Sequence, residues 1–158
     1  MSAKQLSSPI IKSKNLALLL VIFIAGLLQS AGLLSVLGVK PNLLLVTILV
    51  AAFFADFVFY IFLILISVFA LRFRLILEPE SLFFAVIAIA AYFLGRRLPS
   101  QPILNSVFII GIGSVLFNLL ASPSFFFNNL ALVAIELVYD LVLGILIFKI
   151  FESWLKTN

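Results

Sequence analysis

The sequence predicts an all-α integral membrane protein of six transmembrane helices, forming a single transmembrane domain over residues 1–158. Three observations predict it. First, 65% of the residues are hydrophobic and only 10% charged, with a mean hydropathy of +1.38. Soluble domains carry roughly 45–50% apolar and about 25% charged residues, and a chain this small has too much surface per volume to hide the difference from water. Second, the apolar residues are gathered in long runs comparable to the roughly 17–25 residues that a bilayer-spanning helix needs. Third, the basic residues sit at the ends of those runs, where membrane topology places them.

The N-terminal stretch of about 1–15, which opens MSAKQLSSPIIKSK, is basic and precedes an apolar run, as in a signal peptide. No A-x-A-like cleavage site follows and further apolar runs do, so an uncleaved first span at about 16–37 is expected, interrupted by Gln29, Ser30 and Gly32. Residues 43–71 are harder. As one straight helix they would be about 43 Å long at about 1.5 Å per residue, against a bilayer core of about 30 Å. The positive-inside rule decides between one helix and two. Divided near Asp56 into spans at about 42–55 and 57–72, the chain has six spans and its termini share a side. Lys4, Lys12, Lys14, Arg96, Arg97, Lys149 and Lys156 then lie together, opposite Lys40, Arg72 and Arg74. A single helix would split the same ten residues five and five. Six spans are therefore expected, with both termini cytoplasmic and Asp56 at a tight cytoplasmic turn. The remaining spans are expected at about 82–98, 103–121 and 129–151.

The connections read as interfacial. In LGVKPNLLL (37–45), Pro41 suits the first turn of a helix, Asn42 suits the capping of its free N–H groups, and Lys40 suits the water boundary. LRFRLILEPES (71–81) reads as a solvated outer loop in which Arg72 and Arg74 meet Glu78 and Glu80. SPSFFFNN (122–129) holds three consecutive Phe, which suits the outer membrane interface or a docking patch. Small residues four apart, Ala51/Ala55 and Ala91/Gly95, let helices approach closely in lipid.

The last span, AIELVYDLVLGILIF (134–148), carries Glu136, Tyr139 and Asp140. Residues four apart share a helix face, so the two acids point the same way. An acid at the centre of a membrane helix costs about 2.5–3.5 kcal/mol on insertion scales, so a use is expected. The acids suit hydrogen bonds inside the bundle to Asn105, Asn118 or Gln29, a bound cation or polar solute, or the helix of a partner. With no Cys and no His, the chain lacks thiol nucleophiles, imidazole bases and the commonest metal ligands. No catalytic, cofactor-binding or metal-binding set emerges. The net charge of +4 sits at helix ends, so nucleic acid is not an expected partner, whereas membrane lipid is.

Several segments, in order, resemble the rod shape-determining protein MreD family of bacterial inner-membrane proteins. LLQSAGLLSVLGVKPNLLLV (27–46) has a Gln ending the first helix, a short Gly/Leu/Ser connection and a G-[VI]-[KR]-P-[DN]-L-L-L start to the second. FFAVIAIAAYFLGRRL (83–98) closes with Tyr, Gly and Arg, and ELVYDLVLGILIF (136–148) pairs an acid with Tyr-Asp. The Phe-rich second and third spans depart from the Gly-rich pattern of that family. The resemblance marks Gln29, Pro41, Asn42 and Gly95 as structural positions and Glu136, Tyr139 and Asp140 as partner-contact or bundle-locking positions. It implies a non-enzymatic scaffold, similar in fold to the substrate-binding subunits of energy-coupling-factor transporters. Such a scaffold works in the cell inner membrane with an MreC-like single-span protein, MreB-like cytoskeletal protein and peptidoglycan synthases of the elongation machinery. The alternative is a small-solute-binding membrane subunit of a vitamin-type transporter.

Overall fold

The computed structural model describes residues 9–32, 35, 39–71, 79–99 and 101–157. Every regular element among them is a helix: α1 (Pro9–Ala31), α2 (Leu43–Ala51), α3 (Phe57–Leu71), α4 (Pro79–Arg97), α5 (Pro102–Ala121), α6 (Pro123–Asn128) and α7 (Leu130–Thr157). Four of these are long and apolar enough to cross a membrane: α1 over Lys14–Ala31, α4, α5, and α7 over Leu130–Trp154. Helix α3 is apolar but shorter. Arg72, Arg74 and Glu78 of the expected outer loop, and Lys4 of the basic N-terminus, lie outside the described residues.

The ends of the helices follow from local chemistry. Helix α1 stops at Ala31 instead of reaching residue 37, because Gly32 adopts φ 65° and its N–H turns back to the Gln29 carbonyl at 3.2 Å. Glycine takes this left-handed conformation without the steric penalty of a Cβ. Residues 43–71 form two helices, as the charge distribution predicts. The break comes earlier than expected, however: α2 ends at Ala51, and tightened N–H bonds from Phe53 to the Val50 carbonyl and from Phe54 to that of Ala51 turn the chain. The turn presents Phe54 to Phe148 and Phe151, with ring centroids 5.0 and 5.6 Å away. Asp56 is exposed just beyond it.

With nine residues, α2 is about 14 Å long, half the thickness of a bilayer core. The expected span at 42–55 is therefore not a bilayer-length helix. It is enclosed instead: α1, α3, α4, α5 and α7 all pack against it, and none of its residues is more than 4% exposed. A helix apolar on every side is one surrounded by protein or lipid, and here the surroundings are protein. Its single hydroxyl, on Thr47, donates back to the Leu43 carbonyl at 2.7 Å.

Close approach around α2 rests on small residues. A Cβ on Gly113 would run into Leu49, and one on Gly144 into Ile110 and Val46. Helix α7 runs antiparallel to α5, pairing Ser114 with Asp140 and Gly144 with Ile110, and runs parallel to α2. Tyr60 on α3, fully buried, lies 3.2 Å from the Ile48 carbonyl and 3.0 Å from that of Ala88, tying α2, α3 and α4 together. At the same end Arg96 donates to the Ala55 carbonyl at 3.3 Å and covers the Tyr92 ring at 4.4 Å.

Candidate functional site

The half-length α2 creates a physical problem at its start. The first N–H groups of a helix have no intrahelical partner, and these begin level with Asp140, ten residues into α7. Non-helical backbone at such depth persists only where protein or a water-filled cavity satisfies it. Three side chains do so. Asp140 accepts the Asn42 N–H at 3.0 Å, Gln29 accepts the Leu44 N–H at 2.8 Å, and Asn42 accepts the Leu45 N–H at 3.2 Å. The residue before them, Pro41, is buried and has no N–H to satisfy. The side-chain amide of Gln29 also faces the Asn42 side-chain oxygen at 3.5 Å.

Asp140 is 0% exposed. Its second oxygen accepts the Ser114 hydroxyl of α5 at 2.8 Å. The carboxylate thus joins the start of α2 to both α5 and α7, and stands at the positive end of a helix dipole, where a negative group is favoured. Residues from three distant parts of the chain meet here, with 98 positions separating Asn42 from Asp140.

Glu136, one turn earlier on α7, shares the inward side but not the same surroundings. It lines an open cavity of about 350 Å³ between α1, α3 and α7, together with Gln29, Ser30, Lys40, Asn42 and Ala70. The Asn118 amide is its hydrogen-bonding neighbour, and also donates to the Ser114 carbonyl at 3.2 Å. Of the hydrogen-bond partners expected for the acids, Asn118 lies beside Glu136, whereas Gln29 is engaged by the Leu44 N–H and the Asn42 side chain instead. Asn105 lies at the other end of α5 and bonds the Pro99 carbonyl at 2.6 Å.

The remaining marked residues lie apart. Tyr139 packs beside Ala134, Ile135 and Val138 on another side of α7. Gly95 faces Phe53 and Ile109 near the opposite end of the bundle. Ser114 was not singled out from sequence. Its one signal is a hydroxyl in the middle of an apolar helix, opposite an acid. Among the described residues, no three of His, Cys, Asp and Glu are gathered as metal ligands would be.

An all-helical chain with four helices fit to cross a membrane, gathered around an enclosed half-length helix, has the architecture of a multi-pass membrane protein. No protein-family model, curated protein or solved structure matches the chain.

Proposed function

We propose that this chain is a non-enzymatic scaffold of the bacterial inner membrane, of the MreD kind, crossing it six times with both termini cytoplasmic. In this reading it docks an MreC-like single-span protein and helps to position peptidoglycan synthesis in the elongation machinery. One observation carries the proposal. Four of the seven positions marked by the resemblance, from segments far apart in the chain, lie together at the start of α2, where Gln29, Asn42 and Asp140 cap the helix beside Pro41. A role in rigidity accounts for that grouping without any reactive group.

The mechanism is docking on a rigid body. Helix α7, held from inside by Asp140, turns Leu132, Ile135, Val138, Val142, Leu146 and Ile150 outward as one exposed apolar stripe. In lipid such a face gains by van der Waals packing against a second helix, and Tyr139 flanks it. The cytoplasmic Arg96 and Arg97 suit anionic headgroups.

Co-purification from membranes with a co-expressed MreC-like single-span protein tests the reading. Val138→Ala combined with Tyr139→Ala is expected to lower the recovered partner at least fivefold with the scaffold's own yield unchanged. Equal recovery would remove the α7 face from the docking site. Failure of the unaltered chain to retain the partner would sink the proposal.

A further inference from the structure

The cavity beside Glu136 has a charge arrangement that the docking proposal does not use. Glu136 and Lys40 line the same space, yet neither has an ion-pair partner among the described residues. The amide of Gln29 and the hydroxyl of Ser30 line it too, and the hydroxyl, which donates to the Leu27 carbonyl at 2.9 Å, is open to a ligand as an acceptor. The floor is apolar and made of small groups. A Cβ on Gly26 would meet that of Ala70 at 3.4 Å, so the small residues at 26 and 70 bound the space from α1 and α3. Its volume, about 350 Å³, falls in the range of small-ligand pockets, about 300–1,000 Å³.

We propose that this cavity binds a small zwitterion, its ammonium on Glu136 and its anionic group on Lys40 and the Gln29 amide. Hydrogen bonds between ionised groups are about twice as strong as neutral ones. A ligand carrying both charges closes both at once, while a simple cation or anion leaves one wall unpaired. The required chemistry is shared by a free amino acid or phosphoethanolamine and by the headgroup of phosphatidylethanolamine. The proposal stands apart from docking, which uses the outward stripe of α7.

The test is thermal unfolding of the full chain in detergent micelles, titrated with phosphoethanolamine, with a mixture of amino acids, or with phosphatidylethanolamine against phosphatidylglycerol. Saturable stabilisation by a soluble zwitterion supports a free ligand, and stabilisation by phosphatidylethanolamine alone supports a headgroup. Ethanolamine alone and inorganic phosphate alone are expected to act at least tenfold more weakly than phosphoethanolamine or the lipid. Glu136→Gln and Lys40→Met should each weaken the response at least tenfold while leaving the ligand-free midpoint in place. Ala70→Phe, which fills the floor without touching a charge, should abolish the response. Absence of stabilisation by every zwitterion overturns the proposal, as does an undiminished response in Glu136→Gln or Ala70→Phe.

Discussion

Asp140 illustrates why an acid survives inside an apolar helix. One of its oxygens takes the Asn42 N–H and the other the Ser114 hydroxyl, so removing it leaves backbone as well as side chain without a partner. A buried donor left unsatisfied costs about 1–3 kcal/mol. The Ser114 hydroxyl has an escape, since a serine in a helix redirects to a carbonyl of the preceding turn; the Asn42 N–H, a fixed backbone donor, cannot redirect. Asp140→Ala is therefore expected to lower stability by about 1–3 kcal/mol, read as the unfolding midpoint in micelles. Asp140→Asn keeps a carbonyl oxygen for the N–H and should lose less than half as much. Equal losses in the two variants would mean that charge at the helix start matters more than the acceptor. Sequence spacing placed Glu136 and Asp140 on one face, and Pro41 and Asn42 at a helix start. The link between these two motifs was not legible, because nothing local ties residue 42 to residue 140.

At the scale of elements, α2 depends on how closely α5 and α7 approach it. Gly144 faces Ile110 and Val46 and has no room for a larger side chain, whereas a Cβ on Gly111 would meet only Leu141, at 3.9 Å. Adding methylenes to a filled interior costs about 1–3 kcal/mol, and exchange of a helical glycine returns at most about 1 kcal/mol. Gly144→Leu is expected to destabilise the chain in micelles by about 1–3 kcal/mol more than Gly111→Leu. If the two variants unfold together, the tight α2–α5–α7 packing does not carry the fold. The break between α2 and α3 was legible from length and charge. Its exact place was not, because it is set by where Phe54 meets Phe148 and Phe151, across nearly a hundred residues.

The whole molecule has two distinct ends. Asp56, Arg96 and Gln101 mark one, near the packed rings of Phe54 and Phe151, while Gln29, Ala70 and Ser124 belong to the other. The proposed six-pass arrangement predicts that the first end is cytoplasmic. Because the chain has no Cys, single substitutions report cleanly on this. Ser124→Cys should react with a membrane-impermeant thiol reagent on intact bacterial cells, whereas Asp56→Cys and Gln101→Cys should react only after the membrane is opened. Labelling of Asp56→Cys from outside would refute the arrangement. The helical membrane class, the division of 43–71, the start of α2 and the shared face of the two acids are all legible along the chain. These depend on residues near one another in the chain and on transfer from water to lipid. That α2 is enclosed, that Asp140 caps it while accepting from Ser114, and that Glu136 lines a cavity with Lys40 come from the packing of distant segments. In lipid, outward-facing and inward-facing positions are both apolar, so hydropathy marks what lies in the membrane but not what faces protein.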